Sequence, residues 1–187
     1  MEDTDLIARV YPVLSDIDID SSALEAIQAS PLYVAPPPLP TEPDHSDIWG
    51  LHYMPCIEFR FSNIPRSPHG IIFGRNPKSD VVIPSKSVSN YHFGLTFDDE
   101  RHLIVKDLDS RQGTQVTYDG EGKGQRRGFC WIVGGDPILQ DTTSIVITID
   151  ETTMFRIVAV HHDIESQAYM ENVDRFCQGL ATAEHLP

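Results

Sequence analysis

Short apolar runs, separated by turn-forming residues, dominate the chain from residue 55 onward. There are nine of them: CIEFRFS, GIIFG, SDVVIP, YHFGLTF, HLIVKDL, TQVTY, FCWIV, SIVITID and MFRIVAV. In the first run Ile57, Phe59 and Phe61 alternate with Glu58 and Arg60, which is the period-two pattern of a half-buried strand. Nine short strands in just over a hundred residues predict an all-β fold, an antiparallel β-sandwich or barrel.

A different pattern follows the last strand. Apolar residues recur there at helical spacing, at Tyr169, Val173, Phe176, Cys177 and Leu180. This spacing predicts a C-terminal helix that ends near Gly179 and packs on the sandwich or on a partner.

The N-terminal third has only weak patterns. DLIARVYPVL has helical spacing but is interrupted at Pro12, and SSALEAIQAS places Ser22 and Glu25 at the spacing of a capping box, so we expect no more than short helices. Six of the thirteen residues from 31 to 43 are proline, including PPPLP at Pro36–Pro40. This segment is typical of an extended spacer, or alternatively of a ligand for an SH3 or WW domain.

These patterns predict three parts of the chain. We expect an acidic, proline-rich and mostly irregular tail over residues 1–50, one β domain over 51–163, and a helix with a short tail over 164–187. A chain of 187 residues with 40% apolar content is long enough for one good core.

Composition excludes several classes of protein. The chain has neither an apolar run long enough to cross a membrane nor a secretory signal, so we expect an intracellular protein, nuclear or cytoplasmic. Its three cysteines include no CxxC pair, so we expect thiols in the core rather than a zinc site or a disulfide framework. No cofactor is expected.

The net charge of −14 is concentrated at the ends of the chain. Residues 1–50 hold ten acids and one base, residues 161–187 hold five acids and one base, and the part between them is nearly neutral. An acidic chain argues against nucleic-acid binding, which depends on a basic surface. It leaves room for one local anion site, because distant charges are screened at physiological salt.

Polar side chains that could perform chemistry concentrate in SVSNYHF, residues 87–93. A serine nucleophile with a histidine base is one interpretation, but no GxSxG elbow is present, and Ser89 and His92 lie three residues apart at the start of a predicted strand. His161 and His162 are adjacent on a strand and face opposite sides, so we expect no metal site there.

A phosphate pocket is the interpretation that the neighbouring loops favour. GRNPKSDVVIP lies upstream of SVSNYHF and KDLDSRQGTQV downstream, and each joins two predicted strands. Together the three loops supply a guanidinium, hydroxyls and amides, which are the donors that a dianionic phosphate requires.

These three loops resemble those of the forkhead-associated (FHA) domain over residues 55 to 160. The family pattern is GR, then SxxH, then a loop close to SxNGT; this chain has Gly74-Arg75, Ser89-Asn90-Tyr91-His92 and DSRQGT at 109–114. The resemblance implies a β-sandwich that binds phosphothreonine peptides and is not an enzyme.

The resemblance also implies a role for each matched residue. Arg75 would contact the phosphate or the peptide backbone, Ser89 would donate to a phosphate oxygen, and Asn90 would assist beside it. The structural residues of the motif would be Gly74, His92, which braces the loops, and Gly113 with Thr114, which turn the chain into the next strand.

The third loop departs from the family pattern. Where Ser or Thr followed by Asn is most common, this chain has Arg111 and Gln112. Arg111 would either add a second guanidinium to the pocket or lie along the surface, and Gln112 would carry its amide one methylene further. We favour retained binding by Arg75, Ser89, Asn90, Arg111 and Gln112.

Two alternatives stay open at this point. YDGEGKGQRRGFCWIVGG and the strands after it are similar to the N-terminal FHA region of fungal protein kinases, so the chain could be a regulatory remnant or a truncated form of such a kinase. It lacks the VAIK, HRD and DFG motifs that phosphoryl transfer requires. The other alternative is an interaction scaffold that does not depend on phosphorylation.

Overall fold

Two β-sheets form the framework of the protein. The computed structural model describes residues 3–14, 21–38 and 50–182. Within this part of the chain there are eleven strands: β1 (Leu6–Pro12), β2 (Tyr33–Val34), β3 (Cys56–Arg60), β4 (Ile71–Gly74), β5 (Val81–Val82), β6 (Phe93–Phe97), β7 (Leu103–Asp107), β8 (Gln115–Tyr118), β9 (Cys130–Gly134), β10 (Ile145–Asp150) and β11 (Thr153–Ala159). Two helices, α1 (Ser22–Ala29) and α2 (Gln167–Thr182), complete the set.

The strands are arranged as the sequence predicts, in a sandwich. The first sheet has the order β2-β3-β1-β11-β10-β8 and the second has the order β5-β4-β6-β7-β9. Each of the nine predicted runs contains a strand, which confirms the all-β fold. The pairing is antiparallel except for β5, which runs parallel to β4.

The N-terminal tail differs most from its prediction. Leu6–Pro12, expected to be at most a broken helix, is a strand in the middle of the first sheet, paired with β3 on one side and β11 on the other. Six of its seven residues are buried, and only Arg9 is partly exposed. A strand covered on both faces shows no apolar-polar alternation, which explains why its pattern was misinterpreted.

Helix α1 also lies within the range predicted to be mostly irregular. Ser21, and not Ser22, caps it: the Ser21 hydroxyl accepts a hydrogen bond from the backbone N–H of Leu24 at 3.2 Å. Its buried face consists of Ala23, Ala26 and Ile27. Only the first three residues of Pro36–Pro40 lie within the described residues, and they have no regular structure.

Helix α2 closes one end of the sandwich. The Phe176 ring packs edge-to-face against Phe59 at 5.5 Å and against Phe97 at 5.6 Å. The C-terminal helix is thereby confirmed, but the expected end near Gly179 is wrong, because α2 continues to Thr182. No helix in the described part of the chain is long and apolar enough to span a membrane.

The cysteines only partly follow the prediction of core thiols. Cys56 is buried and Cys177 is half-buried, whereas Cys130 is exposed on β9, and none of the three forms a disulfide. No group of three or more His, Cys, Asp or Glu side chains within the described ranges is arranged to hold a metal ion.

Candidate functional site

Three loops meet at one end of the second sheet. They join β4 to β5, β5 to β6 and β7 to β8, and the pairing of Phe93 with Asp107 fixes the end of the sheet from which the last two emerge. The backbone N–H of Arg75 donates to the carbonyl of Ser89 at 3.0 Å, and the N–H of Asn76 donates to the carbonyl of Asn90 at 3.1 Å. The sequence motifs in these loops are therefore adjacent in space.

Gly74 allows the first two loops to approach each other. A Cβ atom at this position would overlap the carbonyl oxygen of Asn90. The φ of Gly74 is not in the left-handed region, so the backbone conformation does not by itself require glycine here. The close approach of the Asn90 backbone is the reason that this residue is glycine.

Ser89 connects the second loop to the third. Its half-buried hydroxyl oxygen accepts a hydrogen bond from the backbone N–H of Arg111 at 2.9 Å. Since this bond uses a lone pair of the oxygen, the hydroxyl proton remains available to donate. Ser89 is therefore held beside Arg111, and its hydroxyl proton can donate to a ligand.

His92 lies beneath the loops and is fully buried. Its Nδ1 accepts a hydrogen bond from the backbone N–H of Ser89 at 3.1 Å, so the ring proton is on Nε2, which donates to the carbonyl of Gly113 at 2.9 Å. Burial lowers the pKa of His92 and favours this neutral form. Its bond is to the backbone of Ser89 and not to the hydroxyl, so the two residues do not form a nucleophile-base pair.

Asp107 organises the third loop, and sequence reasoning missed it. Its buried carboxylate accepts hydrogen bonds from the hydroxyls of Ser110 and Thr114, both at 2.6 Å, and from the backbone N–H groups of Ser110 and Gly128. Burial by itself would raise the pKa of Asp107, but these hydrogen bonds lower it below its usual value. An Asp at the end of a strand has no local signal for this role, since its partners lie up to 21 residues away.

Two more contacts hold the same loop in shape. Gly113 has a φ of +81°, in the left-handed region that favours glycine, and its N–H donates to the Ser110 hydroxyl oxygen at 3.0 Å. Arg127 donates from Nε to the carbonyl of Ser110 at 2.6 Å. Sequence analysis did not assign this structural role to Arg127.

The second loop is fixed from the other sheet. Asp150, at the end of β10, accepts a hydrogen bond from the hydroxyl of Ser87, whose oxygen lies 2.9 Å from that of Ser85. Burial raises the pKa of Asp150, and hydrogen bonds from Ser87 and Thr152 outweigh this effect and lower it. Ser85 and Ser87 therefore bind the end of β10 and help to hold the second loop against the first sheet.

The remaining matched side chains point to solvent. Arg75, Asn90, Arg111 and Gln112 are exposed, and within the described residues none of them has a side-chain hydrogen bond or ion pair. The three adjacent loops therefore carry two guanidinium groups, two amides and the Ser89 hydroxyl. Such a donor set suits a phosphate group on a peptide.

Comparison with known proteins supports the resemblance. Residues 71–126, which contain all three loops, match the family model described as FHA domain. No curated protein matched the chain.

Several solved structures are similar to the chain at low identity. The FHA domain of the CT664 protein from Chlamydia trachomatis is 15% identical, with 83% of this chain and 99% of that chain covered and a TM-score of 0.41. The N-terminal FHA domain of S. cerevisiae Rad53p, in complex with a phosphothreonine peptide, is 17% identical, with 84% and 94% covered and a TM-score of 0.40. An engineered FHA with a Myc-pTBD peptide is 17% identical, with 94% and 98% covered and a TM-score of 0.43.

Proposed function

Because residues 71–126 match the family model of the FHA domain, a class of phospho-motif reader, we propose that the protein binds phosphothreonine-containing segments of other proteins. It is a binding module, and no chemical step is part of the proposal. The binding unit comprises residues 51–163 together with β1 and β2, which complete the first sheet.

Each donor has a place in the proposed complex. Arg75 and Arg111 neutralise the phosphate from two sides, and the Ser89 hydroxyl donates to one of its oxygens. Asn90 and Gln112 hydrogen-bond to the peptide backbone next to the phosphothreonine. Charge-assisted bonds of this kind are roughly twice as strong as neutral ones, so the two guanidinium groups dominate the affinity.

One observation carries the proposal more than any other. The hydrogen bond from the Arg111 N–H to the Ser89 hydroxyl oxygen, at 2.9 Å, joins the second and third loops at the point where the phosphate would sit. The backbone of Arg111, which departs from the family pattern, thus lies next to Ser89, which matches it. This backbone contact supports the proposal that the exposed guanidinium of Arg111 adds a second cation beside Ser89.

The preference for threonine over serine is also part of the proposal. A buried methyl group contributes on the order of 0.8 kcal/mol, which corresponds to about a fourfold difference in affinity. We expect phosphoserine peptides to bind weaker by roughly that factor, and glutamate peptides not to bind, because a carboxylate has fewer acceptors and less charge than a phosphate.

Calorimetric titration tests this function. The tightest phosphothreonine peptide from a degenerate library should bind the wild-type protein with a Kd in the micromolar range, about −8 kcal/mol. Arg75→Ala and Ser89→Ala should each weaken binding at least tenfold, and Arg175→Ala, a matched change of an exposed arginine on α2, should have no effect. A wild-type protein that binds no phosphothreonine peptide would show that the proposal is wrong.

A further inference from the structure

A cleft opens between the edge strands of the two sheets. β8 is the last strand of the first sheet, β9 is the last strand of the second, and the segment 119–129 connects them. The space between them, here called the β8–β9 cleft, has a volume of about 720 Å³, and its apolar walls are formed by Val116, Tyr118, Phe129 and Trp131. This volume is within the range of sites that hold a ligand.

The aromatic walls of the cleft are fixed in place. The Phe129 ring lies edge-to-face with Trp131 at 5.0 Å, and the Tyr118 hydroxyl donates to the carbonyl of Ile132 at 2.7 Å. Phe129 nevertheless remains 40% exposed, which makes it one of the few large apolar side chains at the surface of the described residues. A preformed aromatic wall that is open to solvent is typical of a binding surface.

The rim of the cleft has a net positive charge, because Arg126 and Lys123 line it together with one carboxylate, Glu121. Arg126 lies over the Phe129 ring at 4.7 Å from its centroid, and the exposed Lys123 stands on the same hairpin. Neither forms an ion pair with a carboxylate of the described residues. In a chain with a net charge of −14, two such cations beside an aromatic wall favour a ligand that is apolar and acidic.

The cleft is continuous with the phosphate-binding loops. Arg126 pairs with Thr114 through two backbone hydrogen bonds, from the Thr114 N–H at 3.0 Å and from the Arg126 N–H at 2.8 Å. Thr114 ends the third loop, and β8 runs from there to Tyr118, a span of about 13 Å at 3.3 Å per residue. An extended peptide must therefore continue at least about four residues beyond the phosphothreonine to reach the cleft.

We propose that the β8–β9 cleft is a second contact site for the same peptide ligand, taking an aromatic or large apolar residue that is followed or preceded by acidic residues. The apolar side chain packs between Phe129 and Trp131, and the carboxylates pair with Arg126 and Lys123. This inference rests on the proposed function, since the phosphothreonine brings the rest of the segment to the cleft. It makes the protein selective for an extended sequence as well as for the phosphorylated residue.

Peptides of different length test the inference separately from the phosphate site. The core is the tightest seven-residue phosphothreonine sequence from the library. It is extended through a Gly-Ser linker by Phe-Asp-Asp, so that the nearest residue of the extension lies six positions before or after a central phosphothreonine, or by serines alone. The quantity compared is the affinity of each Phe-Asp-Asp peptide relative to its serine-extended counterpart.

In the wild-type protein, one of the two Phe-Asp-Asp peptides should bind about fivefold tighter, the gain expected from partial burial of one ring and one exposed ion pair. Phe129→Ala and Arg126→Ala should each remove most of this ratio, and Arg175→Ala should preserve it. In a Trp49→Phe background Trp131 is the only tryptophan, so its emission should shift with the Phe-Asp-Asp peptide and not with the core.

The possible failures are distinguishable. If the core binds and Arg75→Ala abolishes its binding, but neither extension adds affinity, the phosphate site stands and the cleft proposal is wrong. An unphosphorylated extended peptide that binds as tightly as the phosphorylated one would also overturn it, because the cleft would then act alone. If no core peptide binds, both proposals fail.

Discussion

At the residue scale, the buried His92 holds two loops of the candidate site in place although its own side chain does not reach the surface. It receives the N–H of Ser89 and donates to the carbonyl of Gly113, so one neutral ring joins the second and third loops. Protonation would replace the acceptor at Nδ1 by a donor and break the bond to Ser89. The integrity of the loops therefore depends on the ring staying neutral.

We predict that this residue makes stability depend on pH. The pKa of His92 is lowered in the folded state by burial, so the unfolded chain binds the proton more readily. The unfolding free energy should therefore fall as the pH drops below about 6.5, the ordinary value for histidine, towards the folded-state pKa, by at most about 1.4 kcal/mol per pH unit. His92→Gln should remove this contribution and the exposed control His161→Gln should not, as measured by urea unfolding from pH 5 to 8. Equal slopes in wild type and His92→Gln would contradict the prediction.

Asp107 gives a second prediction for a single residue. Asp107→Asn removes the charge to which two hydroxyls and two backbone N–H groups donate, and we expect it to cost about 3 kcal/mol of stability. Because the folded-state pKa of Asp107 is lowered, the wild-type contribution is present above about pH 4 and is lost as the pH falls through the folded-state pKa. The variant should lack this acid-dependent loss.

Thermal unfolding at pH 7 and pH 3 measures both effects. Asp109→Asn is the control, because Asp109 is exposed and asparagine tolerates its φ of +55°. If Asp107→Asn were as stable as Asp109→Asn at pH 7, the carboxylate would not be the centre of the third loop.

At the scale of elements, β1 is a structural part of the domain and not a tail. It separates β3 from β11, and Val10 at its centre has no exposed surface. Val10→Ala should therefore cost roughly 2 kcal/mol, as expected for removing methyl groups from a packed core. Arg9→Ala, on the adjacent position with a side chain 44% exposed and a 3.4 Å ion pair to Glu58, should cost less than about 1 kcal/mol. Chemical denaturation of the two variants compares them directly, and a reversed order would argue against a central β1.

The elements also show how far the sequence can predict this fold. All nine strands from β3 to β11 were predicted, because the polar turns between them mark their ends. β1 was not, because both of its faces are buried. β2 has two residues, which is too short to produce a period.

The candidate site also has a part that the sequence predicts and a part that it does not. Its outward donors could be identified because each lies in a short motif of neighbouring residues, although the three motifs are far apart in the sequence. The supporting contacts from Asp107 to Gly128, from Arg127 to Ser110 and from Ser87 to Asp150 join residues 17 to 63 positions apart. Such contacts arise only when the sheets pack together, and no local pattern indicates them.

At the scale of the whole molecule, the negative net charge of the chain opposes the phosphopeptide binding proposed for the three loops. The net charge of −14 repels a phosphopeptide at long range, while Arg75 and Arg111 attract it only at contact. The Debye length falls from about 30 Å at 0.01 M salt to about 8 Å at 0.15 M, so added salt removes the long-range repulsion first.

We therefore predict that an acidic phosphothreonine peptide associates faster at 150 mM than at 10 mM salt. A version of the same peptide with lysines at its ends should show the opposite trend, because its net charge is positive. Stopped-flow measurement of both association rates checks the prediction. Slower association of both peptides at higher salt would mean that the local cations dominate even at a distance.

The pairing of β1 with β11 has a consequence for how the protein is made. Ala8 pairs with Ala159, so the centre of the first sheet joins residues that lie 151 positions apart in the sequence. During synthesis on the ribosome, β1 emerges early and has to wait for β11 before this pairing can form. Contacts of such long range slow folding and leave strand edges exposed in the meantime. The nascent chain is therefore most vulnerable to aggregation until β11 has been translated.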